Sequence, residues 1–534
     1  MPLEVPAVDE VALRPVLERY AAQRPDETHL WFEDGTSWNR AQGVREAYAA
    51  ANALRAAGVE QGDRVGVLLG NGPDFVRAWW GTLFLGATLV PINIAYRGNL
   101  LAHILRLSGP RVVVSDDTGH ALVDAVAMDA GLDAVRLRPD DLRGGSAGSD
   151  IRAPELARPL TIWEPGALVM TSGTTGPSKL ATNTPWHMYL GGSWFTTERS
   201  IDPSDIYLID LPLFHGAALW QGTGSLVAGI GLSLRNAPDL RNYWEIARDT
   251  GATMGILLST MVPFLLQQPV RAAEREHRLR TMIVNPPPPD IVEFMERFGL
   301  PETWTGYGMT EVPAPLVYSA GDLMRPGYCG RQRDGFECRL VDDHDIEVPD
   351  GTPGELIVRT DQPWMIAAEY ISNPEATATA WRNGWFHTGD LMRREDGQYF
   401  FVDRSKDAMR RRGENISSTE LEAELRAHPD IAEVACVPHR PEGTVEDEVK
   451  AWIVVADGAE LDFEALLRWC VERMAHFMVP RYFEVTDELP KTPSLRIKKF
   501  ELRGRGNSER TWDREEHGLQ VSRSGLREAR PVQG

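Results

Sequence analysis

Residues Met170 to Leu180 read Met-Thr-Ser-Gly-Thr-Thr-Gly-Pro-Ser-Lys-Leu, which brings hydroxyls, two glycines and one lysine into a single short span. The chemistry that this combination can do is to grip a phosphate. Gly173 and Gly176 let the backbone turn so that amide N–H groups converge on one anion. Ser172, Thr174 and Thr175 would add hydroxyl donors, and Lys179 a full positive charge. Ser/Thr/Gly-rich stretches also make ordinary solvent loops, so the segment does not decide the matter alone. It is not a P-loop, because Lys179 does not follow a glycine and Leu180, not Ser or Thr, comes after it.

Further polar blocks follow in order: Thr305-Gly306-Tyr307-Gly308-Met309-Thr310-Glu311, Trp385-Phe386-His387-Thr388-Gly389-Asp390-Leu391, Asp403-Arg404-Ser405-Lys406-Asp407, Gly413-Glu414-Asn415-Ile416 and Leu489-Pro490-Lys491-Thr492-Pro493. In this order and at these distances the set resembles the adenylate-forming superfamily of acyl- and aryl-CoA synthetases, luciferase-like enzymes and peptide-synthetase adenylation domains. The resemblance covers nearly the whole chain. Arg297-Phe298-Gly299, His476-Phe477-Met478-Val479-Pro480-Arg481 and Thr511-Trp512-Asp513-Arg514 are similar to the crotonobetaine/carnitine-CoA ligase-like branch.

The resemblance implies an α/β fold with a large N-terminal domain of parallel β/α sheets plus a small β-barrel, residues 1–403. A small, mobile α+β C-terminal domain, residues 404–534, would turn on a hinge near Lys406. ATP and Mg²⁺ are implied, with CoA as co-substrate. The ATP-binding set would be Thr171 to Gly176, Lys179, Tyr307, Gly308, Met309, Thr310, Glu311, Asp390 and Arg404, with Glu311 and Thr174 on the metal. Tyr307 would stack on adenine, and Asp390 would accept the ribose hydroxyls beside Arg404. His215, ending Leu211-Pro212-Leu213-Phe214-His215, is carried over as a residue that positions the acid, and Gly413, Glu414 and Asn415 as the loop that faces the acceptor.

This chain departs from the family pattern at two places. Where the family carries a glycine-alanine stretch, this sequence has Asn285 and then Pro286, Pro287, Pro288 and Pro289, which predicts an extended, stiff segment beside the acid. Where the family ends in Gly-Lys, this chain has Leu495-Arg496. Arginine stays charged and grips phosphate with two N–H groups, so Arg496 is the expected catalytic cation, with Lys498 or Lys499 as substitutes. Two enzymatic readings stay open: an AMP-forming acid–thiol ligase, or an adenylating relative with another acceptor, such as an ATP-dependent diazotase that activates nitrite for an aryl amine. A non-enzymatic nucleotide-binding relative is a third.

The elements that must position these residues read as alternating strands and helices. Val11–Ala22, Arg45–Ala57 and Asp74–Phe84 have helical spacing, and Val65–Leu69, Ala87–Pro91 and Arg111–Val114 read as buried strands of a parallel sheet. Gly70-Asn71-Gly72 lacks the third glycine of a dinucleotide fingerprint and reads as a plain strand-to-helix turn. The tail 504–534 reads as loosely ordered. A net charge of −21 argues against nucleic acid or an anionic membrane as partner. Cys329, Cys338, Cys436 and Cys470 form no C-x-x-C pair, and no stretch is apolar enough for a membrane span. A cytoplasmic enzyme acting on a small acid and ATP is expected, with a homodimer as a possible assembly.

Overall fold

A computed structural model describes the chain except residues 1–2, 97, 144–150, 172–177, 198–200, 260, 323, 405–408, 412–413, 417, 442–446, 475, 492–496, 523–524 and 529–534. Two sheets of mainly parallel strands carry its first part. One is seven-stranded, in the order Thr303–Trp304, Thr281–Asn285, Met254–Leu258, Ile206–Ile209, Gly231–Leu234, Thr28–Phe32, Ser37–Asn39, and only the last pair is antiparallel. The other is six-stranded, in the order Val135–Leu137, Val112–Ser115, Arg64–Leu68, Thr88–Pro91, Ala167–Met170, Leu180–Asn183. Strands such as Val112–Ser115 are buried along their whole length, as continuous Val/Leu runs require when helices cover both faces.

The helices begin and end where local chemistry satisfies their free backbone groups. Asn39 accepts from the Gln42 N–H, and the Gln42 side chain accepts from the Asn39 N–H, so Arg40–Ala56 starts with a reciprocal cap. Asp116 caps Asp117–Ala130 at its start, and Gly131, at φ 61°, ends it in the left-handed region. Pro185–Thr197 and Gly216–Ala228 cross at backbone contact: a Cβ on Gly192 would lie 1.8 Å from the Trp220 carbonyl oxygen, and one on Gly224 2.3 Å from the Gly192 carbonyl carbon.

A third, antiparallel sheet of seven strands occupies the place expected for the small barrel, in the order Gly306–Met309, Val312–Val317, Tyr328–Gln332, Gln398–Arg404, Phe386–Glu395, Gly354–Thr360, Phe336–Val341. Asp390 lies inside the strand Phe386–Glu395. The proline run departs from the extended segment expected: the Asn285–Pro286 peptide is cis, the chain bends at Pro286, and Ile291 N–H donates to the Pro288 carbonyl as the helix Ile291–Phe298 begins. No helix among the described residues is long and apolar enough to cross a membrane.

The last part of the chain has its own core, formed by Leu466, Leu467 and Cys470 of helix Phe463–Arg473 against Ile431–His439, Glu448–Val455 and Tyr482–Val485. For the described residues of 504–528, the expectation of a loose tail is corrected; 523–524 and 529–534 lie outside the described residues. Trp512–Asp513 pairs with Tyr482–Phe483, Leu519–Ser522 and Gly525–Glu528 form a hairpin, and Leu519 and Val521 are buried. Charged residues hide this order in the sequence, but they are internally paired: Arg481 bonds Asp513, and the ammonium of Lys450 donates to Glu484 and to the Gly506 carbonyl. Lys450 and Glu484 are both buried, so removing one partner leaves an uncompensated charge. Lys450→Met is therefore expected to cost about 3–5 kcal/mol, measured as a lower urea midpoint of tryptophan fluorescence.

Candidate active site

Strands Ala167–Met170 and Leu180–Asn183 are an antiparallel pair, and Thr171 N–H donates to the Lys179 carbonyl at 2.8 Å. This ties together the two ends of the segment expected to grip phosphate; Ser172, Gly173, Thr174, Thr175 and Gly176 lie outside the described residues. Lys179 extends its ammonium over the ring of Tyr370, 4.6 Å from the centroid. The Tyr370 hydroxyl donates to Glu311 Oε1 at 2.5 Å, and both residues are buried. Cation, ring and carboxylate thus form one continuous chain of contacts. Burial first, and then the Glu311 charge and hydrogen bond, push the Tyr370 phenol far above its ordinary value, so it stays a donor.

Glu311 lies in the turn between two paired strands, which aim it. Gly306–Met309 and Val312–Val317 pair antiparallel with a register shift between Tyr307 and Met309, and Gly308 packs so tightly that a Cβ would lie 2.8 Å from the Ala314 nitrogen. From the other side Asn183 holds the turn: its Nδ2 donates to the Thr310 carbonyl at 3.1 Å, and its Oδ1 accepts from Trp220 Nε1 at 3.0 Å. The Glu311 carbonyl accepts from Ala367 N–H. Tyr307 donates to Asp390 Oδ2 at 2.6 Å, joining the residue expected at adenine to the one expected at ribose. Asp390 N–H is in turn held by Thr388 Oγ1.

His215 stands at the start of Gly216–Ala228, with its ring 4.8 Å from that of Phe214. The approach to it is fixed by Asn71, whose Nδ2 donates to the Leu211 and Arg235 carbonyls and whose Oδ1 accepts from Leu213 N–H. The Gly70-Asn71-Gly72 turn therefore serves as a clamp on the His215 segment, in keeping with a plain strand-to-helix turn. Arg404 is backbone-paired with Asp390, though its side chain is outside the description. Glu414–Ile416 is a short strand paired with Met409–Arg411; Gly413, Lys406 and Arg496 lie outside the described residues.

Lys499, one of the substitutes considered for Arg496, is engaged elsewhere: its ammonium pairs with Glu422 at 2.9 Å and with the Ser418 hydroxyl. Lys498 pairs with Glu501 and is one-third exposed.

Residues 17–370 match the family of AMP-binding enzymes, and residues 420–496 match the AMP-binding enzyme C-terminal domain. The chain belongs to the AMP-binding enzyme family. A crotonobetaine/carnitine–CoA ligase of Escherichia coli strain ATCC 8739 is 30% identical over 481 residues, 86% of this chain and 92% of that one. Among solved structures, the o-succinylbenzoate-CoA synthetase of Bacillus subtilis with its acyl-adenylate intermediate superposes with a TM-score of 0.82 at 23% identity, covering 93% of this chain and 99% of that one. ATP-bound MatB of Rhodopseudomonas palustris superposes with a TM-score of 0.79 at 24% identity, covering 93% and 98%.

In this AMP-binding enzyme, three contributors to the site carry no motif signal. Tyr370 lies in Ala367-Ala368-Glu369-Tyr370, where only the fold brings it between Lys179 and Glu311. Asn183 closes a strand and reads as any polar strand end. Asn285 is a third: its Oδ1 accepts from the Thr305 hydroxyl at 2.6 Å and from Gly306 N–H at 3.0 Å, tying the start of the proline run to the Tyr307 strand.

Tyr370→Phe keeps the ring under Lys179 but removes the hydrogen bond to Glu311. A bond to a charged acceptor contributes about 1.5–3 kcal/mol, so Mg·ATP binding measured by calorimetry is expected to weaken about tenfold or more. Tyr370→Leu also removes the ring and should weaken it further. Asp210, six residues after Ser204 and buried at the end of Ile206–Ile209, gives a second prediction. Its Oδ1 has no hydrogen-bond partner among the described residues, and burial pushes its carboxyl up to about 7 from 3.8, against the pull of its own N–H and of Arg235. Because the folded value is the raised one, the destabilising cost is absent below pH 3.8, grows as pH rises, and is complete above about 7. Wild-type stability should fall across that window in denaturation experiments, and Asp210→Asn should abolish this component of the fall.

Proposed function

We propose that the protein is an AMP-forming acid–thiol ligase that adenylates a small carboxylic acid with release of pyrophosphate and passes the acyl group to CoA. The observation that carries the reading is the Lys179–Tyr370–Glu311 chain of contacts, set beside the Tyr307–Asp390 pair. It offers a cation and a carboxylate for the phosphate end of a nucleotide and an aromatic ring and a second carboxylate for its adenosine end. The names of the curated relatives and structural neighbours, CoA ligases and synthetases, support CoA as acceptor. They lend no support to nitrite activation.

In the first half-reaction an acid carboxylate oxygen attacks the α-phosphorus of ATP. The bond to the bridging oxygen breaks, and pyrophosphate leaves. Lys179 and the loop from Thr171 hold the departing phosphates, and Arg496 stabilises the charge that builds on the α-phosphate. Asp390 and Arg404 hold the ribose, and Tyr307 the adenine. His215 orients the acid. In the second half-reaction the CoA thiolate attacks the acyl carbon of the mixed anhydride and AMP leaves.

Mg²⁺ suits the residues present. Among the described residues no group of three or more His, Cys, Asp and Glu could form a protein cage for a metal, but Mg²⁺ is commonly held by one or two carboxylates with substrate phosphates. Glu311 is the carboxylate proposed for it, with Thr174 beside it. When bound, Mg²⁺ would neutralise phosphate charge. The domains are proposed as 1–403 and 404–534, turning near Lys406 so that Gly413, Glu414 and Asn415 face the acceptor during transfer.

Lys499 is tied to Glu422 and Lys498, one-third exposed, to Glu501, so Arg496 is the cation proposed at the α-phosphate. Arg496→Ala is expected to slow acid-dependent pyrophosphate release by about 10²–10³-fold, with Lys498→Ala near wild type. The opposite ranking would move the role to Lys498. Mass spectrometry of reactions with aliphatic, aryl and betaine-type acids should show an acyl-CoA for at least one acid; adenylate accumulating unchanged by CoA, or product only with nitrite and an aryl amine, would defeat the ligase reading.

A further inference from the structure

Ligands of open parallel sheets lie outside the carboxyl ends of the strands, and here that edge presents Asp210 to His215 after one strand, Asn285 as the last residue of a second and Thr305–Gly306 after a third. An acid that reacts beside the Tyr307 strand must lie along this edge. Two tryptophans from the crossed helices already fill space against its glycines. A Cβ on Gly306 would lie 3.5 Å from Cη2 and 3.6 Å from Cζ2 of Trp194, and one on Gly216 3.2 Å from Cζ2 of Trp220. The indole of Trp194 thus occupies, from helix Pro185–Thr197, the volume that a side chain at position 306 leaves open.

Trp194 is also held in that position. Its ring centroid is 6.0 Å from Trp304 and 6.1 Å from Phe195, and Trp304 lies 5.4 Å from Tyr318, which makes a continuous aromatic wall. Only 3% of Trp194 and 4% of Trp304 is exposed, so the wall borders no wide channel. Gly306 cannot slide away from it, because its N–H is bound to Asn285 Oδ1 and a Cβ there would also meet the Leu316 carbonyl oxygen at 3.0 Å.

We propose that Trp194 closes the far end of the acid pocket and makes the protein specific for a compact, short-chain acid, excluding fatty and aryl acids. This rests on the acid–thiol ligase reading. A long or aromatic acyl group reaching past Gly306 would have to displace an indole packed on three sides, whereas a short acid stops before it. Hydrophobic pockets discriminate by about tenfold or more per methylene that does not fit, so the contrast across several carbons is large.

The test measures kcat/KM for acetate, butyrate, hexanoate, octanoate and benzoate by pyrophosphate release, in the full chain and in Trp194→Ala and Trp194→Phe. The wild type is expected to use acetate or butyrate at least tenfold better than octanoate and benzoate. Trp194→Ala should raise octanoate or benzoate at least tenfold through KM for the acid, with KM for ATP unchanged, and Trp194→Phe should give a smaller shift in the same direction. If Trp194→Ala does not fold, Trp194→Phe decides. Wild-type preference for octanoate or benzoate, or variants that lower every acid by the same factor, overturns the proposal. Failure of the underlying reading is distinguishable, since it leaves pyrophosphate release independent of every acid in all three proteins.

Discussion

The hydrogen bond from Tyr370 to Glu311 is the contact on which the arrangement of the site depends. It joins a tyrosine whose ring carries the Lys179 ammonium to a carboxylate in the turn that follows the Tyr307 strand. These residues come from a strand hairpin of the six-stranded sheet, a connecting segment and the edge of the antiparallel sheet. One buried phenol that cannot ionise in the physiological range therefore fixes the separation of a positive and a negative charge across two structural units. Low dielectric strengthens such a bond and raises the cost of breaking it.

The rest of the molecule makes that contact possible. Asn183 ties the hairpin to the Thr310 carbonyl and to Trp220, and Trp220 lies where the two central helices cross at glycine contact. Asn71 fixes the segment leading to His215. Asn285 fixes the start of the Tyr307 strand. Asn71 and Asn183 each donate and accept through one amide, and Asn285 accepts twice, so all three hold neighbouring segments without adding charge.

Much of this was legible in the sequence because it is local. Val65–Leu69 and Arg111–Val114 announce buried parallel strands, and the ordered blocks from Met170 to Pro493 carry the family membership. What was not legible is set by contacts between distant residues. Tyr370 gains its role from Lys179 and Glu311, far away in the chain. The proline run looks stiff and extended from its φ restriction, yet a cis Asn285–Pro286 peptide and a turn into the next helix bend it. The tail looks solvated because its charges are many, while Asp513 and Thr511 are in fact consumed by Arg481 and Lys450. Composition reports how many charges a segment has but not whether they are paired.

The central claim is that this arrangement activates an acid at the α-phosphate of ATP before any acceptor is involved. It is tested most directly by exchange of labelled pyrophosphate into ATP, with Mg²⁺ and a short-chain acid present and CoA left out. Exchange is expected only when the acid is added and is strongly reduced in Tyr370→Leu. Exchange indifferent to the acid, or none with any carboxylic acid under conditions where Mg·ATP is bound, would contradict it.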